Sequence, residues 1–212
     1  MKFRIIIALV FFVINSTTLI KAQTSIGLIG GLNLQSISGD APTDVSYSNN
    51  PGYIIGLTVE TEIEDGIKLV LQPNYTLSQT KIAYDIGEKD PKDSMNVKMT
   101  FIRIPLLAKI EAFNGVTYFI SGLDFGFLQS ATIQDENRNT EEKTITDNFE
   151  SFDFAAMFGA GVKFPINRFQ IALEIRYEQS LMNLNKDQNF SSLPERFSLS
   201  GFQFLTYLSY NL

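Results

Sequence analysis

The sequence has no histidine, no cysteine and no tryptophan. Without histidine, Ser-His-Asp and Cys-His catalysis, histidine metal ligation and imidazole pH switching are all excluded. Without cysteine, the chain has neither a lipid anchor on an N-terminal cysteine nor a disulfide framework. No apolar run reaches about 18 residues, so no transmembrane helix is expected. The apolar run Ile5 to Ile14 follows Lys2 and Arg4 and precedes Lys21-Ala22-Gln23. That order is the pattern of a secretory signal peptide cut after Ala22. Residues 1–22 therefore read as a signal peptide and 23–212 as one exported domain. Without Lys2, Arg4 and Lys21 the 17 basic residues fall to 14 against 23 acidic ones, a net charge of −9. Such a chain lacks the clustered cations that phosphate neutralisation needs, so nucleic acid is excluded as a partner. An exported chain with no disulfides needs a substantial core or a membrane around it.

What is present is a rhythm of turns. Hydrophobic-alternating segments are joined by connections that go long, short, long, short. Glu64-Asp65-Gly66 and Phe113-Asn114-Gly115 carry the Asp-Gly and Asn-Gly pairs that accept positive φ in tight hairpins, and Pro165-Ile166-Asn167-Arg168 is a third compact turn. The long connections cover roughly 36–51, 82–96, 129–150 and 182–195. Short periplasmic turns alternating with long extracellular loops are the pattern of an outer-membrane β-barrel. The 18 phenylalanines and 8 tyrosines concentrate in the alternating segments, where a barrel would use them as interfacial girdles.

Alternation predicts eight strands, about 25–35, 52–63, 67–78, 97–111, 116–128, 153–164, 169–178 and 201–212. The fourth slips in phase. Val97, Met99 and Phe101 share one parity, and Ile102, Ile104, Leu106, Ala108 and Ile110 the other, which a β-bulge near Phe101-Ile102 would reconcile. Pro105 inside that strand is a cost to be absorbed by the same bulge. The fold expected is an all-β, eight-stranded, antiparallel up-and-down transmembrane barrel with both termini on the periplasmic side.

One face of these segments is apolar. The other mixes glycine with Glu60, Glu62, Lys68, Arg103, Lys109, Asp124, Asp153, Lys163, Glu174, Arg176 and Glu178. Parity alone leaves two arrangements open: a membrane barrel with charges in the lumen, or a soluble lipocalin-like barrel with charges in water. Unpaired ions in a soluble core would cost several kcal/mol each, about enough to force them outward in that fold. In a narrow membrane barrel, Glu60, Glu62, Lys68, Arg103, Lys109, Asp153, Glu174, Arg176 and Glu178 would form a lumenal charge network. The glycines would make room there for long side chains from across the barrel. The same-face pairs Glu60/Glu62 and Glu174/Glu178 read as rungs of that network rather than acid–base catalysts. Gly159-Ala160-Gly161 lacks the remainder of a dinucleotide fingerprint, and 134–142 is acidic without EF-hand spacing, so no cofactor or metal is expected.

Gly27-Leu28-Ile29-Gly30-Gly31-Leu32-Asn33-Leu34, Ile102-Arg103-Ile104-Pro105-Leu106-Leu107-Ala108-Lys109, Gly159-Ala160-Gly161-Val162 and Ile175-Arg176-Tyr177-Glu178-Gln179-Ser180-Leu181 resemble strands of a known family. It is the small outer-membrane β-barrel proteins of the Bacteroidetes, which include the PorT-like proteins. The resemblance spans most of the mature chain and implies that Pro105 is tolerated in its strand. It departs at the end, where Tyr210-Asn211-Leu212 replaces the usual terminal aromatic. It implies a barrel in the outer membrane, surrounded by lipid and assembled by the barrel-insertion machinery, and the absence of histidine makes a non-enzymatic barrel the expectation. The role expected is structural or in interaction, with protein partners at the extracellular loops and a possible tie to secretion or gliding machinery. A small-solute channel and the soluble binding barrel are the alternatives. The protein is expected to enrich in the outer-membrane fraction, and unheated samples to migrate apart from boiled ones in a detergent gel; co-migration would count against a barrel.

Overall fold

The computed structural model describes residues 23–39, 45–84, 94–113, 115–135, 142–186 and 197–212, so the signal peptide assigned to 1–22 lies outside the described residues. The strands are β1 (Thr24–Ser38), β2 (Val45–Asn50), β3 (Gly52–Glu64), β4 (Ile67–Leu71), β5 (Asn74–Tyr84), β6 (Ser94–Ala112), β7 (Thr117–Asp135), β8 (Lys143–Thr144), β9 (Phe152–Ile166), β10 (Phe169–Ser180) and β11 (Ser198–Asn211), with a 3-10 turn at Thr146–Asn148. β2 and β3 form one crossing interrupted at Pro51, and β4 and β5 another interrupted at Gln72-Pro73. Eight crossings result, each antiparallel to its neighbours in sequence. β1 closes the ring on β11 from Ser25↔Asn211 to Ser38↔Ser198.

The tight turns lie where their residues predict. Gly66 has φ 74° and Asn167 φ 57°, the left-handed region in which Gly and Asn are least strained. Asn114 of the second turn lies outside the described residues, and its neighbours Phe113 and Gly115 have φ of 48° and 77°.

The apolar parity faces outward. Leu28 is 60% exposed, Phe119 59% and Leu173 50%, while Arg103, Arg176 and Asp153 are buried inside. That arrangement excludes the lipocalin-like alternative, because a greasy belt around the whole circumference is stable in hydrocarbon and not in water. On β10 the belt runs from Phe169 to Tyr177, about 27 Å of strand and so about 20 Å of axis at a tilt of about 40°. Aromatic contacts sit near its two ends. Phe169 meets Tyr210 at 5.3 Å beside the periplasmic turns, and Tyr177 meets Phe158 at 5.3 Å and Phe202 at 5.2 Å toward the outer side. Above the belt the outward positions turn largely polar, as at Ser36, Gln79, Thr100, Gln129, Gln179 and Ser200, with Leu77 and Ala83 of β5 apolar among them.

The strands reach further than alternation predicts. β1, β2, β5, β6 and β7 take in 36–38, 45–50, 82–84, 94–96 and 129–135, all expected as loop. There the pattern inverts. Outward residues are polar apart from Ala83, and Ile37, Ile82, Val97, Met99, Phe101, Leu128 and Ala131 point inward into an apolar core. Water has replaced lipid outside the wall, so the sign of the pattern changes while the strand continues.

This inversion also corrects the reading of β6. Val97, Met99, Phe101, Arg103, Leu107 and Lys109 share one inward parity with no break. The bulge at this level belongs to β7, where Thr100 pairs with Ser130 and Phe101 with Leu128, leaving Gln129 as the extra residue. Pro105 is accommodated by a different device. It pairs in register with Asp124 on one side. On the other it faces Gln72, whose N–H donates to the Pro105 carbonyl at 3.1 Å. The return bond needs an N–H that proline lacks. The side-chain amide of Asn74 donates to that Gln72 carbonyl instead, at 2.9 Å.

Asn74→Ala should therefore destabilise the barrel by about 1–3 kcal/mol, the cost of an orphaned buried carbonyl. The loss should shrink in a Pro105→Ala background, which restores the missing N–H. Urea unfolding in detergent micelles measures both, and equal losses in the two backgrounds would remove this account.

Candidate functional site: the filled lumen

The lumen is packed in tiers. Outermost is an apolar plug. Ile145, Phe149, Leu184 and Phe197, from the connections after β7 and β10, lie against the inner face of the extended strands and are nearly fully buried. The two connections interlock. Leu184 donates its N–H to the Phe197 carbonyl at 2.9 Å, Glu150 to Leu184 at 3.0 Å and Lys186 to Asn148 at 3.1 Å. The rings of Phe149 and Phe197 meet edge to face at 5.5 Å. Beneath lies an amide and hydroxyl tier, in which Asn33 Nδ2 donates to Ser78 Oγ at 2.8 Å and to Gln35 Oε1 at 3.1 Å.

Below it the ions begin. Arg103 on β6 holds Asp124 Oδ2 on β7 at 2.5 Å, Asp153 Oδ2 on β9 at 2.9 Å and Glu178 Oε1 on β10 at 2.8 Å. All four side chains are at most 1% exposed. Ser180 Oγ donates to Asp153 at 2.5 Å, and Gln203 Nε2 to Glu178 at 2.6 Å. The next tier centres on Glu174. It accepts from Arg176 Nη2 at 2.6 Å, from Tyr118 OH at 2.9 Å and from Tyr207 OH at 2.9 Å. Arg176 also donates to Gln72 Oε1 at 2.9 Å, joining β10 to the far wall. Lys109 pairs with Glu60 and lies over the Tyr118 ring at 4.4 Å. At the periplasmic rim Lys68 meets Glu111 at 2.8 Å, and Lys163 pairs with the same carboxylate.

Eight of the nine residues expected to form the network thus lie in the lumen or at its rim with an ionic partner. Glu62 differs: it is half-exposed at the rim, and its Oε1 accepts the Gly66 N–H at 3.4 Å. Glu62 keeps the parity of Glu60 and pairs in register with Lys68, one step nearer the periplasmic rim, and the strand pairing becomes irregular only beyond it. Sequence reasoning did not single out Glu111, Tyr118, Tyr207 or Gln72. Each falls on the inward parity, but only Glu111 carries a charge to mark it.

The glycines make room differently from expectation. They relieve the charged residue on the adjacent paired strand, as in Arg103↔Gly126, Arg176↔Gly159 and Glu174↔Gly161. A Cβ on Gly126 would stand 3.0 Å from Arg103 Nη1, and one on Gly161 only 2.4 Å from the Tyr118 hydroxyl. Gly159 and Gly161, the dinucleotide-like fragment, are thus spacers for Arg176 and Tyr118. Among the described residues no cluster of metal-ligating side chains occurs.

A closed ring of eight antiparallel strands, apolar outside and ionic within, is an integral outer-membrane β-barrel. The chain belongs to the outer membrane protein beta-barrel domain family, whose model matches residues 21–186. Among solved structures it is similar to the attachment invasion locus protein Ail of Yersinia pestis, at 14% identity and TM-score 0.43, covering 90% of this chain and 99% of that one. It is similar also to OprG of Pseudomonas aeruginosa, at 12% identity and TM-score 0.45, covering 90% and 96%. Neisserial surface protein A is a third, at 9% identity and TM-score 0.47, covering 89% and 97%. No curated protein sequence matches the chain.

One guanidinium among three carboxylates makes unequal demands on its partners. Removing the cation, Arg103→Met, strands three buried anions and should cost about 3–5 kcal/mol or more. Glu178→Gln keeps the shape, removes one surplus charge and should leave the unfolding midpoint unchanged or raised. Charge reversal at Arg176 should lower it. Heat-shift gels in detergent rank the three; a drop for Glu178→Gln as large as that for Arg103→Met would overturn this electrostatic reading.

Proposed function

We propose that this protein is a non-enzymatic, non-conducting barrel with a structural or interaction role, working through the part that stands above the outer leaflet. The observation that carries the reading is the obstruction of the lumen at successive levels. An apolar plug, an amide tier and two buried ionic tiers lie in series, each bonded to several strands. An eight-stranded ring has an interior only wide enough for side chains, and here the side chains are large and mutually tethered. The extended β5, β6 and β7 give the extracellular end a rigid wall on which partners can dock. The likeness of the Ile-Pro-Leu-Leu and Arg-Tyr strands to PorT-like proteins supports a narrower version, in which that partner belongs to protein-secretion or gliding machinery.

The small-solute channel is the competing reading, and conductance separates the two. Refolded into planar bilayers, the wild-type barrel should give no discrete current steps. The double variant Phe149→Ser/Phe197→Ser should remain silent, because the ionic tiers below the plug are intact. Reproducible unitary steps from the wild type would overturn the proposal in favour of a channel.

A further inference from the structure

We draw no further inference here: the strongest candidate, the lumenal side-chain cluster in which Asp124, Asp153 and Glu178 surround Arg103, belongs to the site already described.

Discussion

Every feature of this molecule follows from the closure of β1 on β11. In hydrocarbon an unbonded N–H or C=O has no water to turn to, so a spanning sheet is stable only when its first and last strands pair. The register from Ser25↔Asn211 to Ser38↔Ser198 supplies that pairing over the full height of the belt and beyond it. Closure also decides which residues meet in the middle. Once the ring is set, Arg103, Asp124, Asp153 and Glu178 converge from four different strands on a single point. The same demand explains Asn74, whose amide serves a carbonyl that Pro105 leaves without a donor.

The buried ions are better understood as a geometric specification than as a source of stability. Taking a carboxylate or guanidinium out of water carries a desolvation cost that a good pair only roughly offsets. What the pairs do is penalise misregistration. A one-residue slip of β10 would turn Glu174, Arg176 and Glu178 out into lipid and bring Ile175 and Tyr177 inside. Tyr118 and Tyr207 add directionality, since both hydroxyls point at the same carboxylate. The glycines opposite Arg103, Arg176 and Glu174 belong to the same scheme, holding the neighbouring strand clear of the large side chain it pairs with.

Much of this was legible in the residues. Alternation located the crossings, the Asp-Gly and Asn-Gly pairs marked periplasmic turns, and the charged parity gathered Glu60, Lys109, Arg103, Asp153, Glu174, Arg176 and Glu178 on one face. What alternation could not reveal was a change of solvent along a single strand. Val97, Met99 and Phe101 are apolar and inward while Ile102 and Ile104 are apolar and outward, and a fixed rule of greasy against polar reads that as a broken phase. The compensation of Pro105 by Asn74 was illegible for a related reason, since it joins residues 31 positions apart through a third, Gln72. Tyr118 and Tyr207 carry no formal charge and look like girdle aromatics until their parity is compared with that of Arg176.

The interlocked plug ties distant parts of the chain together. Phe149 lies between the fifth and sixth crossings and Phe197 just before the eighth, yet their rings touch, and the backbone of Leu184 bridges both connections. Phe197 leads directly into β11, the strand that closes the ring on β1. Stopper and wall are therefore fastened by the same length of chain.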